Sequence, residues 1–191
     1  ALQALPNIAF VAGMSRDIGD DGTVLREGGQ RLVTQDHYRH LLEDCFIWSG
    51  SSIVYRRQAL EAVGGFDEAL LAGDDYDLYL RLAFAYPVFC HDGVVTEYRR
   101  HGANTTRDPG VVLSSQLRVL KAQRRRLRDG RERAARRTGV RRTRREHGRA
   151  LVERVLVDWR RRDWRRALGG VATLVRHDPR DLVRLPAGSA R

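Results

Sequence analysis

Changes in the period of apolar and polar positions mark the elements of the chain. Ile8 to Ala12 reads IAFVA, a short apolar run that predicts a buried strand. Ser15 to Gly29 is rich in Asp and Gly, and its Asp21-Gly22 pair is a turn signal, so a surface hairpin or loop follows. Thr34 to Glu43 predicts a short helix with Thr34 as N-cap and Tyr38, Leu41 and Leu42 at helical spacing. Cys45 to Tyr55 carries two apolar runs around Ser49 to Ser52, the pattern of a strand with a loop or bulge. Arg57 to Val63 predicts a short helix ended by Gly64-Gly65.

Asp74 to Tyr86 has the strongest helical character. Asp74 is a suitable N-cap, and Tyr76, Tyr79, Leu80 and Ala83 fall on one face. Asp77 and Arg81 stand at i,i+4 in the favoured order, and Pro87 closes the helix. Two short strands, Pro87 to Cys90 and Val94 to Tyr98, are expected around His91-Asp92-Gly93. From about Val111, three segments show helical spacing with Arg on their other faces: Leu113 to Arg128, His147 to Trp159 and Trp164 to Arg176. Arg131 to Arg145, between the first two, is dominated by Arg, Ala, Thr and Gly.

Charge divides the chain at about the same place. Residues 1–110 hold 10 Lys+Arg against 16 Asp+Glu, and residues 111–191 hold 25 against 8. The net +11 therefore combines an acidic module with a strongly basic tail. Cys45 and Cys90 form no CxxC pair and have no His cluster beside them, which argues against zinc. Two reduced buried thiols are the expectation and a single disulfide the alternative. No segment approaches the roughly 20 apolar residues of a membrane span. The chain starts without Met, has no basic leader region and runs straight into a strand-like stretch, so a cut through a longer protein is expected.

Five carboxylates (Asp67, Glu68, Asp74, Asp75 and Asp77) lie within eleven positions. One reading is a solvated helix start, since acids at an N-terminus suit the macrodipole. The other is that one of them is a general base, held ionised on a rigid element. The neighbours favour the second. GGFDE, then DDYDLYLRLA, then YRRHGANTT, in that order, resembles the family 2 glycosyltransferases, particularly bacterial enzymes building surface polysaccharides. The preceding SSIVYRRQALEAVGGF is similar to the strand and helix that lead into this motif. The resemblance covers roughly residues 8–106.

The resemblance implies an α/β chain: the C-terminal, acceptor-side part of a GT-A (Rossmann-like) domain over residues 1–110, then an all-α basic tail over 111–191. It implies inverting transfer from a nucleotide sugar, typically UDP-linked, to a saccharide or lipid-linked acceptor in cell-envelope polysaccharide synthesis. A divalent cation, Mg²⁺ or Mn²⁺, would neutralise the leaving diphosphate. Matched by position, Asp75 is the base and Asp74 its neighbour, Asp where the family usually has Glu. His101 matches a histidine that reaches metal or donor phosphates in some GT-A enzymes; its other reading is a strand-end His bonded to backbone. Arg99 is a partner for phosphate or for an acid of the cluster. Gly64 and Gly65 allow a tight turn and let the acceptor come close. Trp48 and Ser51 would flank the acceptor cleft, although for Trp48 core packing is the favoured reading.

The family's metal- and nucleotide-binding Asp-x-Asp closes an early strand, and no early strand here ends in one: Asp20-Asp21 lies in a loop and Asp74-Asp75 is matched to the later acidic pair. Most of the cation and nucleotide contacts are therefore expected upstream of residue 1, and the chain alone is expected to be inactive. The Arg-rich tail leaves three readings open: nucleic-acid contact, an anionic membrane surface, or helices packed on the catalytic part. Scarce aromatics disfavour nucleic acid. A cytoplasmic protein, peripheral on the inner face of the membrane, is the expected setting. The alternative to an enzyme is an Arg-rich nucleic-acid-binding or regulatory remnant.

Overall fold

The computed structural model describes residues 5–28, 30–70, 72–99 and 108–177. It is a mixed α/β structure with a helical C-terminal part. The strands are β1 (Phe10–Ile18), β2 (Val24–Arg26), β3 (Ile53–Tyr55) and β4 (Phe89–Arg99). The helices are α1 (His37–Glu43), α2 (Arg57–Ala62), α3 (Asp74–Ala85), α4 (Pro109–Ala122), α5 (Gly130–Arg160) and α6 (Trp164–His177).

β1 is the hub of the sheet. It pairs antiparallel with β3 through Phe10–Ala12 and with β2 through Asp17 and Ile18, while β4 runs parallel beside it from Val11 to Ile18. The expected hairpin is present: Asp21 Oδ1 accepts from Thr23 N and Oγ1, and Gly22 takes the left-handed φ of 83° that its turn needs. β1 itself is longer than the IAFVA run. It carries on through Ser15 and Asp17, because β2 and β4 give that polar half its ladder partners. The two strands expected after Pro87 are one, since its partner β1 continues past His91–Gly93 and the ladder absorbs them as a register shift.

α3 packs on the sheet through fully buried Leu78, Tyr79, Leu80 and Leu82, with Phe10, Leu41 and Leu42 opposite. Tyr76 Oη donates to the Leu41 carbonyl at 2.6 Å and ties α3 to α1. Thr34 does not cap α1, which starts at His37 behind Asp36 in a left-handed conformation. Asp74 is not the cap of α3 either. Gly73, at φ 73°, occupies that position, a backbone conformation that glycine adopts without strain.

The basic tail packs against this layer. Val119 and Leu120 of α4 and Ala135 of α5 belong to the same apolar cluster as Phe10 and Leu80. The Arg-rich stretch 131–145 is the first half of one 31-residue helix, started by an N-cap in which Asp129 accepts from Glu132 N, while Glu132 reaches back to accept from Arg128 N just before the cap. Its small residues have a purpose: a Cβ on Gly139 would collide with the Leu42 carbonyl, so glycine lets α5 lie against α1. Arg142 reaches Asp44 at 3.0 Å across the same contact. A second apolar cluster, Leu113, Leu151, Val152, Val155 and Leu174, holds α4, α5 and α6 together. Both cysteines are free thiols.

Candidate active site

Asp75 is the second residue of α3, a helix long enough to present a real N-terminal dipole. Since Gly73 has no side chain to cap the helix, the Asp75 carboxylate fills that role and accepts from Tyr76 N at 2.7 Å. The carboxyl is half-buried and faces a cleft of about 500 Å³. Burial raises its pKa above 3.8; the Tyr76 amide opposes that shift, and the neighbouring Asp74 charge adds to it. The net rise makes Asp75 a stronger proton acceptor than an exposed aspartate, while the amide keeps the ionised form accessible.

β1, β2, β4, α3, α4 and the loop after α1 build the cleft around it. α3 contributes Asp74, Asp75 and Tyr76, and β1 contributes Ser15 and Asp17. Arg26 and Trp48 stand together, the guanidinium 4.0 Å from the ring centroid. α4 supplies Val112, Ser115 and Gln116, so the tail makes one wall. Ser115 also borders a second hollow of about 620 Å³ between α4, α5 and α6, lined by Arg118, Arg154 and Arg166. Arg154 is held by Asp158 at 3.2 Å and Arg166 by Asp163 at 3.4 Å.

Cys45 lies in the cleft but is a poor nucleophile. Burial, then the charges of Asp75 and Asp44, push its thiol well above 9.0 and keep it protonated. Behind Asp75, the buried hydroxyls of Tyr55 and Tyr79 lie beside one another, with the Tyr79 hydroxyl near the Asp75 carboxyl. Burial and then the Asp75 charge raise the Tyr79 pKa, so this hydroxyl also stays protonated beside the acid.

The residues anticipated from sequence separate into two groups. Asp74, Asp75 and Trp48 come together in the cleft, and Trp48 is 38% exposed there, not core. Ser51, Gly64, Gly65 and Arg99 do not line it. Ser51 is exposed on a 3₁₀ turn, where its carbonyl accepts from Thr96 Oγ1 at 3.0 Å. Gly64 and Gly65 form a left-handed turn after α2, at φ 84° and 67°, whose Gly65 carbonyl accepts from Arg81 Nη2 at 2.7 Å. Arg99 donates to the carbonyls of Gly19 and Asp20 at 3.0 and 2.8 Å and braces the β1–β2 turn. His101 lies outside the described residues. Asp17, Arg26, Ser115 and Gln116 were not anticipated. The alternation of Ser15 and Asp17 with Met14, Arg16 and Ile18 was the one available signal for the first of these.

Among the described residues, no three of His, Cys, Asp and Glu form a set that could hold a metal ion. The described donors therefore do not by themselves fit the divalent cation that members of this family generally use. No described helix is long and apolar enough to cross a membrane.

A profile of the family described as "Glycosyltransferase like family 2" matches residues 1–121, a span that includes the sheet, α3 and the α4 wall of the cleft. No curated protein sequence matches the chain. The profile covers well over half of the 191 residues, and the chain belongs to the glycosyltransferase-like family 2: it is a glycosyltransferase.

Proposed function

We propose that this enzyme transfers a sugar with inversion from a nucleotide sugar, UDP-linked in the simplest case, to a hydroxyl of a saccharide or lipid-linked acceptor, with Asp75 as the base. The observation that carries the reading is the Asp75 carboxyl itself, fixed by the Tyr76 amide at the start of α3 and facing the cleft with a raised pKa. The acceptor hydroxyl gives its proton to Asp75 as its oxygen bonds to the anomeric carbon. The bond from that carbon to the diphosphate breaks, and the nucleoside diphosphate leaves with the electron pair. One displacement at one face inverts the anomeric centre.

The hollow beyond Ser115 supports an extended acceptor, and its arginines suit acidic or phosphate-bearing units. Synthesis of bacterial cell-envelope polysaccharide at the cytoplasmic face of the membrane is the setting this reading assigns. The test is incubation of the full-length protein with a panel of UDP-sugars and lipid-linked or oligosaccharide acceptors, with nuclear magnetic resonance of the new anomeric proton. A product of the opposite anomeric configuration to the donor supports the proposal; retention of configuration refutes it.

A further inference from the structure

The outer face of α6 is apolar where solvent should favour polar residues. Trp164, Leu168 and Val175 stand at i, i+4 and i+11, on one side of the helix, and are 47%, 61% and 55% exposed. Ala167 and Leu174, completely buried, already provide the face that packs on α5. The exposed stripe is therefore a second apolar face with no partner among the described residues. At the α5–α6 corner Trp159, 50% exposed, meets Trp164 edge to face with ring centroids 4.9 Å apart. Two indoles are thus held at one end of the stripe.

The charge around the stripe identifies its occupant. Between Trp159 and His177 there are six arginines, all exposed, and one acid, Asp163. Asp163 is committed to Arg166 and to the Arg166 amide at the start of α6. The same face of a second copy would bring arginines against arginines. A nucleic acid would use the charge but would leave Leu168 and Val175 without apolar contact. A bilayer with anionic headgroups satisfies both: phosphates meet the arginines, the indoles sit at the interface, and the aliphatic stripe enters the acyl boundary.

We infer that the outer face of α6, with the Trp159–Trp164 corner, docks the enzyme onto an anionic lipid surface. This deepens the membrane placement proposed above. It is read from vesicle binding without any transfer assay, so its failure is distinguishable from failure of the catalytic reading.

The experiment is flotation of the full 191-residue chain with phosphatidylcholine vesicles, with and without phosphatidylglycerol. Binding is expected only with the anionic lipid, weakening as salt rises. Leu168→Ser with Val175→Ser removes apolar area from exposed positions, and Arg165→Glu with Arg176→Glu reverses two charges. Each pair is expected to weaken binding by roughly tenfold or more, with unchanged far-UV circular dichroism. Equal binding to both vesicle types, no binding at all, or wild-type binding by both folded variants would overturn the inference. So would nucleic-acid binding with no vesicle binding.

Discussion

Arg81 Nε donates to Asp77 Oδ2 at 2.7 Å, one turn back along α3, and the same guanidinium donates to the carbonyls of Val63 and Gly65 at 2.6 and 2.7 Å. Both side chains are nearly buried, so the pair and the two carbonyls are partners that water does not replace. The helix that presents Asp75 is thereby clamped to the turn that ends α2. Arg81→Ala should destabilise the protein by about 3 kcal/mol, and Arg81→Lys should recover only part of the loss, because an ammonium cannot match the fork. Urea denaturation checks both values; a loss within about 0.5 kcal/mol for Arg81→Ala would show the clamp to be incidental.

Gly139 sets the approach of α5 to α1. A Cβ there meets the Leu42 carbonyl, which is backbone and has no rotamer to move. Gly139→Ala should cost about 2 kcal/mol despite the better helix propensity of alanine. Gly169, in α6 with open space where a Cβ would sit, is the control, and Gly169→Ala should gain about 0.5 kcal/mol. Thermal melts of the two variants moving in the same direction would contradict the packing account.

The pH dependence follows from the raised pKa of Asp75, caused first by burial and also by the Asp74 charge. Transfer needs the ionised base, so kcat/KM should fall as pH falls through that raised value. Asp74→Asn removes the like charge and should move the acid limb to lower pH. The stability effect has the opposite sense. A raised native pKa means the folded state holds the proton more tightly than the unfolded chain, so the carboxyl costs stability above its native pKa and none below 3.8. Asp75→Asn should melt higher than wild type at pH 7, and the difference should vanish in acid. An unchanged acid limb in Asp74→Asn would show that the two charges are uncoupled.

Trp48 offers the cleft a ring whose environment includes the Arg26 guanidinium. Trp48→Ala removes apolar contact area without touching the base. Acceptor KM should rise by about tenfold with kcat within about threefold, as expected for a group that binds ground and transition states alike. Steady-state kinetics with varied acceptor measures the split; a fall confined to kcat would contradict it.

How much of this was legible beforehand depended on range. α3 was plain from its Tyr and Leu spacing, a local pattern, whereas Asp75 was singled out by the family resemblance, which matches it to the second acid of the pair opening that helix. Its cap was missed because the left-handed conformation at Gly73 is invisible in a pattern that favours an acid at that position. The extension of β1 through Ser15 and Asp17 and the single β4 were missed because each strand supplies the other's hydrogen bonds across about 80 positions. Arg131 to Arg145 gave no apolar stripe, since the contact there is made by Gly139 and Ala135, whose smallness is what the packing needs. Gly64 and Gly65 were recognised as a turn, but the Arg81 fork that uses it was not, and Ser115 and Gln116 reach the cleft only through tertiary packing of α4.

The central claim, that Asp75 is the base of sugar transfer, meets its most direct test in single-turnover transfer by Asp75→Asn beside Asp74→Asn, both made in the full-length protein. The account predicts a loss of about a thousandfold for Asp75→Asn, with a melting temperature at or above wild type, and a much smaller loss for Asp74→Asn. Transfer by folded Asp75→Asn at a rate within about tenfold of wild type would contradict it.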